Sequence, residues 1–249
     1  MKDSILTERQ KSLLEAIIRE FMDTAEAVGS IHLPVKYDLK VSPATVRNEM
    51  MSLDKKGFLS KPHASSGRVP TALAYKYFID EILNHFDQLE YDLMARLKEE
   101  IFKDRYSLDQ LMFNAVKILY DCTGNTGVAI LNNRVYYKGI ANMMDFPEYQ
   151  HSRRIRKLVS ILENYETLLG IFGKNNDSLD NTVKILIGKE DLGFDELDNE
   201  AFVFAPLFLH NGQKGYIAVI GPSRMDYARV IPTVQWLSNS INQCMDGWQ

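Results

Sequence analysis

Apolar residues in the first 60 positions recur every three to four residues, in two separate blocks. Leu13, Leu14, Ile17, Ile18 and Phe21 form one stripe, and Thr7 with Gln10 ahead of it has the spacing of a capping box. This predicts a helix ending near Thr24, before the Gly29-Ser30 turn. A short second helix is expected over about residues 31–37, with Pro34 in its first turn, where proline is tolerated. Ser42-Pro43 then supplies an N-cap and a first helical position. The third helix so begun should run to about Lys56 and stop at Gly57. Two short extended stretches follow, 58–63 and 68–70, around Ala64-Ser65-Ser66-Gly67, which has turn chemistry. Three helices and a hairpin is the order of a winged helix-turn-helix.

From Thr71 the helical period returns, with Tyr75, Phe78, Ile82, Leu83 and Phe86 on one side and Leu89, Leu93, Leu97 and Ile101 prolonging it. This reads as a connector, partly buried against a partner surface. A second capping box, Ser107 with Gln110, opens a helix carrying Leu108, Leu111, Met112, Ala115, Val116 and Leu119 up to Thr123-Gly124. Strands at 127–131 and 134–140 flank Asn132-Asn133, residues that tolerate left-handed turn positions. A long helix is expected over 152–172. Strands are expected at 183–188, 202–209 and 215–221, the last two joined by His210-Asn211-Gly212, and a closing helix from about Met225. The fold class is therefore α+β, with sheet on one side of the second domain and helices on the other. The divisions are 1–80 for a DNA-binding domain, 81–106 for a connector helix and 107–249 for a regulatory and dimerisation domain.

Charge sharpens this picture. The chain of 249 residues has a net charge of -4, so no global positive field points to nucleic acid. Within residues 40–76, however, Lys40, Arg47, Lys55, Lys56, Lys61, Arg68 and Lys76 face only Glu49 and Asp54. Residues 81–110 are acidic instead. A basic block in an acidic chain implies a DNA-contacting module attached to something else. The two cysteines, Cys122 and Cys244, have no CxxC or Cys/His spacing, which fits a reducing cytoplasm without disulfide or zinc. The amino terminus lacks the apolar core of a signal peptide, and no apolar run suits a membrane span. Cytoplasmic localisation and no membrane partner are the expectations.

Val46, Met50 and Leu53 on the third helix share one face, which should be buried. Ala44, Asn48, Met51 and Lys55 then point outward, with Thr45 and Ser52 beside them and Arg47 on a flank. Small and amide side chains at the start of such a helix suit a major groove. Ala44 and the Thr45 methyl can approach a thymine methyl, and Asn48 can pair with adenine. The N-cap Ser42 lies at the same end. Arg47, Lys55, Lys56 and Lys61 suit phosphates. His63, Ser65, Ser66 and Arg68 would form a small tip along a minor groove. Met51 is either a contact to a base methyl or an exposed apolar side chain without a role. A solvated helix face beside a polar loop is the bland alternative, and it does not account for caps, face and charge agreeing.

Other clusters carry less. Gly221-Pro222-Ser223-Arg224-Met225-Asp226-Tyr227 could hold an anion at a helix start, but an Arg224–Asp226 or Arg–backbone lock explains it better without a glycine-rich cradle. Asp191, Asp195, Glu196, Asp198 and Glu200 read as a solvated loop rather than a calcium site. Arg153, Arg154, Arg156 and Lys157 should solvate one helix. His32, His63, His85, His151 and His210 have no metal spacing. No nucleophile–base pair stands out, so neither an enzyme nor a cofactor is expected.

Several stretches together carry a resemblance. They are Leu6-Thr7-Glu8-Arg9-Gln10, Val28-Gly29-Ser30, residues 41–50 (VSPATVRNEM) and residues 61–70 (KPHASSGRVP). Further on come Phe146-Pro147-Glu148-Tyr149, Ile187-Gly188-Lys189-Glu190 and the Gly221 to Tyr227 run. The chain resembles the heat-inducible transcription repressor (HrcA) family along nearly its whole length. The resemblance implies a winged helix followed by a GAF-like domain, and a homodimer on an inverted-repeat operator, CIRCE, ahead of chaperone genes. It also implies control by the chaperonin GroEL. Typical members carry an inserted segment that helps dimerisation, where this chain has only Asn132-Asn133 before Arg134; a dimer built on other surfaces is therefore expected. A winged-helix regulator controlled by a small ligand in the GAF-like domain is the rival reading.

Overall fold

The computed structural model describes residues 6–62, 67–82, 91–150, 152–174, 181–209 and 214–246. The chain divides into two compact units, Met1–Asn84 and His85–Gln249.

In the first unit, α1 (Glu8–Thr24) starts at the expected capping box, with the Thr7 hydroxyl and the Gln10 side chain each bonded to the other residue's backbone N–H. Its stripe of Leu13, Leu14, Ile17 and Ile18 is buried. The second helix, α2 (Leu33–Lys36), is shorter than the sequence suggests: Pro34 sits in its first turn and the helix closes within four residues. The third, α3 (Pro43–Lys55), has Ser42 as N-cap, its hydroxyl accepting from the Thr45 N–H at 3.2 Å. Gly57 with φ 82° ends it in the left-handed conformation. Strands β1 (Leu59–Ser60) and β2 (Val69–Pro70) pair antiparallel, and Val28 bridges to Arg68 as a third edge. A side chain on Gly67 would meet the Val28 carbonyl oxygen at 2.4 Å, so only glycine lets the chain pass so close. Helix α4 (Ala72–Tyr77) runs into a π-helical turn at Phe78–Ile82.

The second unit is built on one antiparallel sheet in the order β4-β3-β7-β6-β5. The strands are β3 (Thr126–Leu131), β4 (Arg134–Lys138), β5 (Lys184–Ile187), β6 (Glu200–Phe208) and β7 (Lys214–Pro222). Asn132 and Asn133, with φ of 50° and 60°, make the tight turn between β3 and β4. Helices lie on both faces, not on one. Val128, Ile130, Phe202, Phe204, Tyr216, Ala218 and Ile220 face a core shared with α8 (Ser152–Leu162) and α9 (Tyr165–Lys174). The opposite face packs on α6 (Leu108–Thr123) and α11 (Tyr227–Asp246). The continuous burial of β3, β6 and β7 is the cause: residues of both parities are apolar and both need cover. At Gly127 a Cβ would strike the Val116 carbonyl at 2.4 Å, so α6 lies directly against the strand.

Other expectations change too. Ser107 is an N-cap by position but makes no side-chain cap. In the second half of the connector segment, α5 (Tyr91–Lys103) buries Leu97 and Ile101 next to α6 and α11. The long helix expected over 152–172 is two helices, because the Asn164 carboxamide oxygen takes the Thr167 N–H at 2.9 Å and caps α9 anew. Short helices α7 (Ile140–Met143) and α10 (Gly188–Leu192) were not expected. Gly139 and Gly188, both at positive φ, turn the chain out of strand into them.

Candidate nucleic-acid interface

The face assignment on α3 decides which side chains can meet a partner. Val46 and Leu53 are 0% exposed and Met50 5%, all packed inward. Ser42, Ala44, Arg47, Asn48 and Lys55 are exposed, Thr45 is half-buried, and Met51 is 47% exposed. Six of the predicted contact residues thus lie on or beside one outward helical surface, with Lys61 exposed just after β1. His63, Ser65 and Ser66 lie outside the described residues.

Arg68 and Lys56 differ from the expectation. Arg68 is the bridge partner of Val28, and its Nε lies 2.8 Å from an Asp54 carboxylate oxygen with only 13% of the side chain exposed. The N–H is not aimed along that contact, so it is a charge contact rather than an aligned hydrogen bond. The guanidinium therefore joins the hairpin to α3 instead of reaching outward. Lys56 donates to Gln10 Oε1 at 2.8 Å. Neither role could be read from charge alone, since a lysine or arginine in a basic block looks the same whichever way it points.

The second unit holds a different kind of cluster. Arg224 Nε donates to Glu148 Oε1 at 2.6 Å and a terminal nitrogen to Oε2 at 3.3 Å, with both side chains about one-seventh exposed or less. The guanidinium is thus forked onto Glu148, a partner that the expected Arg224–Asp226 or Arg–backbone lock did not include, with the Phe146 ring 5.4 Å away. Two motifs 76 residues apart are one structural unit. Beside them Glu200 is fully buried, and burial pushes its carboxyl up to about 7. Its Oε2 takes the Asn199 N–H, while Oε1 and the Tyr149 hydroxyl are buried with no hydrogen-bond partner among the described residues. Burial also raises the Tyr149 hydroxyl well above its usual range.

The acidic loop and the basic helix turn out to serve each other. Arg154 meets Asp198 at 2.8 Å, Arg153 meets Glu196 at 3.5 Å, and Lys157 lies 4.2 Å over the Phe194 ring. Asp191 accepts from the Ile187 N–H. Among the described residues no group of three or more His, Cys, Asp or Glu could hold a metal, and no helix is long and apolar enough to cross a membrane. A cavity of about 100 Å³ between α5 and α11 is small beside the roughly 300–1,000 Å³ of typical ligand sites.

Residues 75–231 match the family model described as the HrcA protein C terminal domain. The chain belongs to the HrcA family. The Glu148–Arg224 fork, the buried Glu200 and α10 all fall inside the matched HrcA span. Relatives agree beyond it. A protein of Carboxydothermus hydrogenoformans named heat-inducible transcription repressor HrcA is 26% identical, over 96% of this chain and 98% of the relative. Proteins of the same name from Desulforamulus reducens and Bacillus pumilus are 25% and 24% identical, over 97% of this chain in each case. The alignment with the first spans 345 positions against the 249 residues of this chain, so that HrcA carries stretches absent here. A crystal structure titled as that of a hypothetical protein, 15% identical, has the same fold, with a TM-score of 0.72 over 96% of this chain and 97% of that one.

Proposed function

We propose that this chain is a sequence-specific DNA-binding repressor of heat-shock genes, acting as a homodimer on an inverted-repeat operator of the CIRCE kind in the cytoplasm. The observation that carries this reading is the division of α3: Val46, Met50 and Leu53 inward, Ala44, Asn48, Met51 and Lys55 outward. The names of the relatives support it.

In this reading residues 1–80 form a winged helix-turn-helix, 81–106 a connector and 107–249 a GAF-like regulatory and dimerisation domain. Helix α3 enters the major groove with its amino-terminal end. Asn48 reads adenine, Ala44 and Thr45 meet thymine methyls, and Ser42, Arg47, Lys55 and Lys61 hold phosphates. His63, Ser65 and Ser66 run along the neighbouring backbone, and Arg68 acts by fastening the hairpin to Asp54. A palindromic operator needs a two-fold protein to place two α3 helices one helical turn apart. Without the inserted segment of longer members, other surfaces of the second unit make the pair. GroEL is the chaperonin that would keep the repressor active. No cofactor or catalytic residue enters.

A salt-controlled titration tests this, using the CIRCE inverted repeat, its half-site and a scrambled duplex. The expected result is a preference of about 10³-fold or more for the repeat over the scramble. Equal affinity for both duplexes overturns the reading, and sedimentation that finds only monomer with operator present overturns the dimer.

A further inference from the structure

Gln10 occupies an unusual place for an amide. It lies in the inward stripe of α1, only 6% exposed, and its side chain bonds across to α3 at three points. Its Nε2 donates to Glu49 Oε2 at 3.0 Å and to Ser52 Oγ at 3.2 Å. Its Oε1 accepts from Lys56 Nζ at 2.8 Å and from the Thr7 N–H at 3.3 Å. Two donors and two acceptor positions are all that a carboxamide has, and all four are used.

Glu49 and Ser52 of α3 and Lys56 at its C-cap are spaced at i, i+3 and i+7, so they line one flank of the helix. Beside it lies the Arg9–Glu49 ion pair at 3.7 Å, with Arg9 61% exposed, and both helices otherwise turn apolar faces inward: Leu13, Leu14 and Ile17 on α1, Val46, Met50 and Leu53 on α3. Aliphatic surfaces resist separation but are less particular about rotation and sliding, whereas a satisfied buried polar network fits one arrangement only. Side-chain tips lie roughly 5–6 Å from a helix axis, so rotating α3 by about 10° moves the Asn48 amide by about 1 Å. That is enough to spoil a bidentate contact to a base edge.

We infer that Gln10 is a positioning residue for DNA recognition, setting the rotation of α3 about its own axis so that Asn48 meets a base edge squarely. This rests on the repressor reading above. Gln10 touches no nucleic acid in it. Its effect reaches DNA only through Glu49, Ser52 and Lys56.

Three variants of the full chain test this: Gln10→Leu, which strips the network at similar volume, Gln10→Glu, which sets a carboxylate against Glu49, and the exchange Gln10→Glu with Glu49→Gln. Affinities are measured for the CIRCE duplex and for a scramble of the same composition, with circular dichroism and melting recorded beside them. Amide hydrogen exchange along α3 is followed without DNA. Both single variants are expected to keep their helical content, to lose about tenfold in the ratio of operator to scramble affinity, and to exchange faster along α3. The exchange variant restores donor to acceptor and is expected to recover both readouts. Singles that fold and discriminate like the parent overturn the inference, as do equal losses on both duplexes or an exchange variant no better than Gln10→Glu. Should the parent itself fail to prefer operator, the repressor reading falls. The exchange rates then decide alone: faster in the singles and recovered in the pair supports a fixed α3, unchanged rates refute it.

Discussion

Both units of this chain carry a basic cluster next to acidic residues, and they use them in opposite ways. In the first, Arg47, Lys55 and Lys61 stand exposed around α3, and the acids nearby are spent elsewhere: Glu49 on Gln10, Asp54 on Arg68. In the second, Arg153 and Arg154 lie against Glu196 and Asp198, and Arg224 is forked onto Glu148. Local charge density is similar, but Arg154 and Arg224 in the second unit are largely buried against carboxylates, while Arg47 and Lys55 stand on the outward side of α3. Partnering, not composition, makes the internal brace.

The largest expected effect comes from opening that brace. Glu148→Ala leaves the Arg224 guanidinium poorly exposed and without its carboxylate, and is expected to cost about 3 kcal/mol of second-unit stability. Calorimetry should record a fall of about 6–12 °C in melting temperature. An unchanged melting temperature would mean the fork is no brace.

Next in size is the response to acid. The Glu200 carboxyl lies at about 7 in the folded chain against an ordinary 4.5, raised mainly by burial. Between those values the folded state holds the proton and the unfolded state has lost it, so stability falls as pH rises through that window and levels off above it. The fall is on the order of 1–3 kcal/mol. Glu200→Gln should flatten denaturant midpoints measured across that range; a parent midpoint that does not fall between pH 5 and 7, or that falls equally in the variant, would contradict the assignment.

On the exposed side effects should leave stability alone. Asn48→Ala is expected to lose about 1–3 kcal/mol on operator and nearly nothing on scrambled duplex. Equal losses on both would reassign Asn48 to the backbone. Lys61→Ala should do the reverse, weakening every duplex alike and lowering the slope of log affinity against log salt by about 0.9. This is the smallest shift, and a loss confined to operator would remove the phosphate role.

The parts readable in the sequence are those fixed by local rules. Thr7 with Gln10, Ser42 with Pro43, Gly57 and Asn132-Asn133 each answer to one backbone requirement, and each element boundary there lies where those residues put it. The inward face of α3 followed from spacing alone. Choices made by distant partners were not readable. Arg224 could have met Asp226, two positions away; it meets Glu148 because the fold brings the Phe146 to Tyr149 turn beside it. Helices on both faces of the sheet followed from doubly apolar strands, a signal present in the Glu200–Phe208 segment but read as one-sided. The break at Asn164 was hidden by continuous apolar period across it. Gln10 carried a usable hint: an amide three positions before Leu13, on the buried stripe, needs a polar partner somewhere. The cap uses only one of the four hydrogen bonds its side chain makes.

Gly67 has a consequence for engineering. The chain slips past the Val28 carbonyl only where no Cβ exists, and Ser60 opposite Val69 sets the pairing on the far side. A residue added between those two anchors therefore cannot be absorbed by strand slippage, since sliding would drive a side chain into Val28. The pairing of β1 with β2 is thus locked at both ends, and a change of chain length in this region leaves that register where it is.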